Sequence, residues 1–481
     1  MVRRGTSQAE RRTDLQLSRL EKLIKALAPN AVIFGREDVR WCGNEAGGTR
    51  STEWNVIPYQ ANPDTMSNFA DMTDKDLGSR EQLYKAKYLH YQQAETNTSI
   101  REGWFYRDDT HQKVRSTDDV FDTYERAVGG NSTFLLNIPP NRDGKFSPTD
   151  VAVLKETGQR IRETYGTDLF RQAKGPKEVL DQNADTYVTA DKDGAGIVIS
   201  TPRPVTLNRL VLQEAIATNG ERVERHAVDA WIDGGWKEIA HATNIGYKRI
   251  LRFPDVTTDK IRVRILESRL TPAICTISAH HYKARPPRLS AQRSMDGLVT
   301  IEPMAQEFGW KAHGENIAEN LNAGFKIYYT TDGTEPSAGS TEYKAPFLMG
   351  NSELKAVAIL NGEKGAILQE RFGLVKKGWK IADKTAQSLA IDLGSQQTVS
   401  GFAFTPQKQG GKGTVAGIIR ISNDGKNWKE VERFEFGNLI NDPSKRYHHF
   451  KQTVKARYVQ VEAAEIAART EAAALAGIDI F

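Results

Sequence analysis

The sequence predicts an α/β region followed by a longer all-β region, and three observations carry this. Up to about residue 170, helical patterns alternate with short apolar runs, the arrangement of parallel β/α units. Beyond about residue 172 the texture changes to short alternating strands separated by Gly, Asn and Asp turns, as in β-sandwiches. Finally, "TLNRLVLQE … AVDAWIDGGWKEIA … TDKIRVRILE" recurs as "TVSGFAFTP … GIIRISNDGKNWKEVE … KARYVQVEA" about 190 residues later, which indicates one fold used twice.

Taken in order, the chain from Leu15 reads as an amphipathic helix with Leu17, Leu20, Ile24 and Leu27 on one face, ended by "APN". The apolar run "AVIFG" that follows is too short for a helix and predicts a strand buried on both faces. It feeds the glycine-punctuated loop "RWCGNEAGGTRSTEW", in which Glu45 lies between Trp41 and Trp54. A polar loop past the C-terminal end of a parallel strand is where α/β folds place their chemistry. "STDDVFDTYERAVGGN" predicts a helix opened by Ser116 with an acidic first turn and closed at Gly129-Gly130. A strand in "STFLLNIPPNRDG" and a helix in "SPTDVAVLKETGQRIRETYG", with Pro in its first turn and a closing Gly, complete the region.

Composition narrows the class. The 481 residues exceed one core and suggest several domains. The net charge of +5 is spread without a Lys/Arg block, so nucleic-acid binding gains little support. Cys42 and Cys275 lie too far apart to suggest a zinc site or a disulfide framework. No apolar run of about 18 residues predicts a membrane span, and the basic N-terminus lacks the apolar stretch of a secretory signal.

The blocks "AVIFGREDVRWCGNEAGGTRSTEWNVIP", "SIREGWFYRDD" and "FLLNIPPNRDGKFSPTDVAVLKETG" resemble the C-terminal half of the catalytic barrel of α-L-fucosidases, glycoside hydrolase family 29, in the branch acting on α-1,3/4-linked fucose. The repeated modules resemble discoidin-type (coagulation-factor type C) β-sandwiches, and "YYTTDGTEP" resembles the chitobiase/hexosaminidase C-terminal domain. The resemblance implies the second half of a (β/α)8 barrel over 1–172, then β-sandwich-type modules at 173–284, 285–373 and 374–481. It also implies a retaining glycosidase acting on fucosylated oligosaccharides or glycans, with a periplasmic or extracellular location for the family.

Retaining glycosidases use two carboxyl groups about 5–5.5 Å apart, one nucleophile and one acid/base. The resemblance makes Glu45, the Glu of the "RWxGNE" motif, the acid/base, with Glu53 as runner-up. A general acid must hold its proton near neutral pH, and Trp41 and Trp54 are expected to provide apolar surroundings for it. Substrate contacts are expected from Trp104 against the apolar side of fucose, and from Arg40, Trp54 and Glu95. Asn137 and Asn141 are expected to order a loop, and Tyr91 and Glu95 lie where the family reads "W-x-P-A-E-x-D-x-SIR-x-GW". Here that stretch lacks both the Trp and the Pro, which bears on the subsite beyond fucose.

The family's nucleophile is an Asp some 45 to 60 residues before the acid/base, a count that runs past Met1; Asp14 has no preceding strand and does not fit the part. A barrel of this kind takes about 250 residues, so the chain reads as a C-terminal part without its nucleophile half. Residues 1–170 are then expected to pack poorly, and the modules to fold independently. In the modules, Trp231, Trp236, Ile261, Val263 and Ile265 are expected in an inward core, with Trp428 equivalent to Trp236. His448, His449 and Arg457 are candidate polar contacts. Cofactors are expected to be absent, apart from the structural Ca²⁺ that some discoidin-type modules hold; the scattered Asp here make no compact ligand loop. A rival expectation is a non-catalytic carbohydrate-binding protein, since about two thirds of the chain is β-modules.

Overall fold

A computed structural model describes residues 17–34, 38–42, 45–66, 73–74, 76–101, 103–106, 114–189, 196–303, 324–385, 387–405, 413–436, 445–467 and 477–481. A mixed α/β region leads into a series of β-sheet modules. In the first region the strands Val39–Arg40, Gln93–Ser99 and Ser132–Asn137 pair in parallel, in that order. Their C-terminal ends therefore lie on one side.

The helices form where their end signals stand. Ser116 caps Thr117–Val128 by accepting the Asp119 N–H at 3.2 Å, Asp118 and Asp119 occupy the positive end, and Gly129 closes it. Pro148 starts Pro148–Tyr165 behind Ser147, and Gly166 ends it. The helix Leu17–Leu27 also forms, yet Leu20, Leu23 and Leu27 of its apolar side are exposed; Asp14 and Leu15 lie outside the described residues.

The strand expected at "AVIFG" is a correction. Phe34 makes one isolated parallel bridge to Val39, and Val32 and Phe34 are exposed rather than buried on both faces. Within the described residues nothing pairs beyond this edge to cover it. The ladder instead begins a few residues later and continues through Gln93–Ser99, a strand almost wholly buried although six of its seven residues are polar. Burying so many polar side chains costs free energy unless each finds a partner. Thr96 and Ser132 hydroxyls meet at 2.9 Å, and Thr98 accepts from Arg115 at 2.7 Å.

Past residue 173 the repeat is realised as repeated topology. Ile197–Glu214 pairs with Arg249–Ser268, which pairs with Val223–Ile232, which pairs with Gly235–Ala242. Ser388–Phe404, Arg446–Ala467, Gly413–Ser422 and Lys429–Glu435 repeat this order. Each unit has its own apolar core, with Ile261, Val263 and Ile265 in the first and Leu389, Phe402 and Val459 in the last. Between them, strands including Leu289–Arg293, Lys326–Thr330 and Ser352–Leu360 enclose a third core around Val299, Leu354 and Phe372.

Trp231 and Trp236 do not join the first core. They face each other edge-on at 5.3 Å, half-buried, with Lys260 over one ring and Arg262 over the other. Side chains alternate along a strand, so Ala230, wholly buried, puts Trp231 on the other face. Trp428 is likewise half-buried, against Tyr458.

Candidate active site

The parallel ladder brings three polar segments to one end: the loop after Val39–Arg40 with Glu45, the turn after Gln93–Ser99 with Trp104, and Asn137. The loop that carries Glu45 is tied down by backbone. Gly47 donates its N–H to the Asn97 carbonyl at 2.9 Å, and Arg126 reaches the Gly47 carbonyl at 3.1 Å and the Thr49 hydroxyl at 3.2 Å. Glu45 is half-buried; Gly43 and Asn44 of the same motif lie outside the described residues. Asn137 orders the turn as expected of it, donating to Ser99 and to the Trp104 carbonyl, both at 3.0 Å. Trp104 itself is half-buried, and Asn141 accepts from the Asp143 and Lys145 amides within its own loop.

Glu95 is the unusual carboxyl. It is 1% exposed, one oxygen accepts the Cys42 N–H at 3.3 Å, and the other has no hydrogen-bond partner among the described residues. Burial, helped by the nearby Glu45 carboxylate, pushes its pKa up to about 7. Asn97, two residues on and therefore on the same face of the strand, likewise has a side-chain oxygen without a partner among the described residues. Among the described residues, two buried side-chain oxygens on this face of the strand are thus left without hydrogen-bond partners. Sequence reading named Glu95 but passed over Asn97, although the E-x-N alternation was there to be read.

The raised Glu95 value has a testable sign. Between about pH 4.5 and 7 the folded chain keeps a proton that the unfolded chain releases. Stability therefore falls as pH rises through that window. Glu95→Gln should abolish this slope and stabilise the protein above pH 7 while matching the parent near pH 4, by urea denaturation at several pH values. Parallel stability profiles for the two proteins would refute the assignment.

Three other residues sit differently from expectation. Arg40 is wholly buried, donating to the Glu53 carboxylate at 2.6 Å, the Trp54 carbonyl at 2.7 Å and the Gln92 carbonyl at 3.3 Å. Burial opposes its charge, but Glu53 holds it firmly protonated. It organises the loop from beneath and offers no free face to a sugar. Glu53 is neither solvated nor available, being paired with Arg40 and with Arg50 at 3.2 Å. Trp54 is buried, with the Arg269 guanidinium 3.7 Å over its ring, so that face of the indole is already occupied. Tyr91 is partly exposed, and burial of its hydroxyl raises its pKa.

Elsewhere, Arg457 is paired with Asp392 at 2.9 Å, His448 packs among Phe402, Phe434 and Phe450, and His449 stacks on Phe481. Among the described residues no group of three or more His, Cys, Asp or Glu side chains could hold a metal ion, and no helix is long and apolar enough to cross a membrane. Cys42 and Cys275 are buried free thiols, the former pushed to about 11 by burial.

Comparison with known proteins gives matches over several parts of the chain. Residues 8–165 match the alpha-L-fucosidase family model, 317–372 the Fn3-associated model and 349–476 the F5/8 type C domain model. Alpha-L-fucosidase 1 of Arabidopsis thaliana is 30% identical over 277 residues, covering 52% of each chain. The candidate alpha-L-fucosidase 1 of Oryza sativa subsp. japonica is 28% identical over 272 residues, 52% of this chain and 50% of that one. A crystal structure of a candidate alpha-L-fucosidase from Bacteroides ovatus superposes with a TM-score of 0.50 at 29% identity, covering 96% of this chain and 66% of that one. The chain spans about half the length of the curated relatives it matches. Along the chain, a segment similar to alpha-L-fucosidases is thus followed by segments similar to Fn3-associated and F5/8 type C domains.

Proposed function

We propose that this chain carries the acid/base side of a retaining α-L-fucosidase site acting on α-1,3/4-linked fucose of oligosaccharides or glycoconjugates. The observation that carries the reading is Glu45 on an anchored loop at the C-terminal end of a parallel ladder, within the segment that matches the family model. Glu45 protonates the departing glycosidic oxygen and then, as a carboxylate, takes a proton from the water that attacks the glycosyl-enzyme bond. Trp104 supplies an apolar ring for fucose and its methyl group. Glu95 and Asn97 meet sugar hydroxyls with the oxygens that have no partner among the described residues.

The nucleophile has to be an ionised carboxylate about 5–5.5 Å from Glu45. Glu95, buried and with its pKa raised to about 7 so that it is only partly ionised at neutral pH, and Glu53, spent on two guanidiniums, are poor choices for it. The Asp that performs this step is supplied by a segment outside these 481 residues, and the second half of a (β/α)8 barrel is the matching architecture. The test compares the 481-residue chain with the same chain extended by the reading frame upstream of Met1. The extended chain should release fucose from an α-1,3/4-fucosylated oligosaccharide with retained anomeric configuration by NMR, and the shorter one should not. Inverted product, or no release by the extended chain, would sink the proposal.

A second reading, a non-catalytic carbohydrate-binding protein, is favoured by the F5/8 type C match at 349–476. Glycan binding by the whole chain, together with an inert extended chain, is the outcome that would select it.

A further inference from the structure

The first β module touches the site region in an unusual way. The link before Val223–Ile232 delivers Glu221, buried, to the backbone of segment 51–56, where its carboxylate accepts the Asn55 N–H at 2.8 Å and the Val56 N–H at 2.9 Å. Its other oxygen accepts from the Asn131 side chain at 2.7 Å, and Asn131 also donates to the Glu53 carbonyl at 2.8 Å. From the same module, Asn244 donates to that carbonyl at 2.5 Å, and Thr243 to the Ser51 carbonyl at 2.8 Å. Arg249 fixes the Asn244 amide at 2.7 Å. Segment 51–56 is thus gripped along its length by module side chains 166 to 192 residues away in sequence.

The grip continues inward. Asn55, wholly buried, accepts the Gln92 N–H at its carbonyl (2.7 Å) and the Ala94 N–H at its side-chain oxygen (2.8 Å), so it pins the root of Gln93–Ser99 immediately before Glu95. Glu53 and the Trp54 carbonyl hold Arg40, which reaches the Gln92 carbonyl at 3.3 Å. The same strand's Asn97 carbonyl holds the Gly47 amide, two residues from Glu45.

We propose that the first β module is a built-in positioning part of the hydrolase site: Glu221 and Asn244 set segment 51–56, and through Asn55 and Arg40 they set the placement of Glu45 and Glu95. This rests on the acid/base reading of Glu45. The chemistry favours it over mere adhesion, because a docking contact needs neither a buried carboxylate nor backbone amides as its target. One Glu221 carboxylate oxygen, the Asn131 and Asn244 amide groups and the Thr243 hydroxyl are all spent on the segment that carries Arg40's partners. The module is then a fixed support for catalysis, in contrast to a tethered glycan-binding unit.

The experiment uses the full 481-residue chain and its Glu221→Ala, Glu221→Gln and Asn244→Ala variants, with amide hydrogen exchange as readout. In Glu221→Ala the Asn55 and Val56 amides should exchange about tenfold or more faster, as expected when a hydrogen bond to a charged acceptor is lost. The increase should spread to Ala94 and Gly47, while amides within Arg249–Ser268 keep their protection. Glu221→Gln keeps one acceptor oxygen and should recover most of the protection at Asn55 and Val56. If Glu221→Ala does not fold, Asn244→Ala reads the same amides with the Glu221 bonds intact. Loss confined to Asn55 and Val56, with Ala94 and Gly47 unchanged, overturns the proposal. In the upstream-extended chain Glu221→Ala should lower kcat about 10²-fold with little change in KM, the cost of a misplaced catalytic group, and Glu221→Gln should restore most of it. A kcat within twofold of an active parent also overturns it. Spreading exchange in a chain whose extended parent is inert leaves the coupling standing and removes the fucosidase reading instead.

Discussion

Glu45→Gln in the upstream-extended chain should slow hydrolysis of a natural α-1,3/4-fucoside by about 10²–10⁴-fold, the range of a lost general acid. The substitution keeps size and hydrogen-bonding shape, and Gly47, Asn97 and Arg126 continue to hold the loop, so the loss reports chemistry rather than collapse. A sugar alkoxide is a poor leaving group and needs the proton. An aryl fucoside with a very acidic phenol does not, so its first step should run near the parental rate, giving a burst of phenol. The second step still lacks its base and becomes rate-limiting, and a small anionic nucleophile such as azide should accelerate it by forming the fucosyl azide. The alkaline limb of the kcat/KM pH profile, where Glu45 loses the proton it must donate, should disappear with the carboxyl. Equal rates of mutant and parent on the natural sugar would remove Glu45 from the mechanism. Glu53→Gln is the control: it disturbs Arg40, lowers activity on both substrates alike and gives no azide rescue.

Much of this site was legible because its signals are local. Caps and closing glycines mark Thr117–Val128 and Pro148–Tyr165, and the polar loop with Glu45 follows a short strand, though that strand is Val39–Arg40 and not "AVIFG". The repeat announced two units of one topology, which the strand orders match. What failed depended on distant partners. Arg40 next to Trp41 reads as a residue for sugar hydroxyls until Glu53 and the Trp54 and Gln92 carbonyls are seen to consume its donors. Gln93–Ser99 has the composition of a loop, and only its two parallel neighbours make it a buried strand. Trp231 and Trp236 carry the hydrophobicity of core residues but sit out of phase with Ala230 on the alternating strand. Glu221 and Asn244 carry no local signal, since their targets lie 166 and 191 residues away.

The most destabilising single change in the described structure should be Arg209→Ala, at about 3–5 kcal/mol, because it leaves a buried carboxylate without its main partner. Arg209 lies on Ile197–Glu214 of the first β module and Glu125 on Thr117–Val128 of the α/β region; their side chains are 1% and 2% exposed and meet at 2.6 Å. Tyr165 donates to the same carboxylate at 2.6 Å, and Arg252 approaches it at 3.4 Å while pairing with Asp122 at 2.7 Å. Burial alone would raise the Glu125 pKa, but Arg209 and Arg252 outweigh it and hold it below the ordinary value. A carboxylate depressed in the folded state contributes stability above its unfolded pKa and loses it as pH falls through the folded value. The parent should therefore lose stability more steeply on acidification than Glu125→Gln. Glu125→Leu combined with Arg209→Met should recover most of what Arg209→Ala loses, since an apolar pair of similar volume avoids the desolvation that the ions suffer. This cluster spans the α/β region and the module, which bears on the expectation that residues 1–170 pack poorly while the module folds on its own. Exposed Leu20, Leu27, Val32 and Phe34 fit a loose first edge, but Thr117–Val128 is joined to the module by buried charges. Urea unfolding followed by proteolysis should show residues 114–280 yielding in one transition, and Arg209→Ala should split it in two. A single unchanged transition in Arg209→Ala, with stability within 1 kcal/mol of the parent, would mean that the apolar contacts alone hold the two parts together.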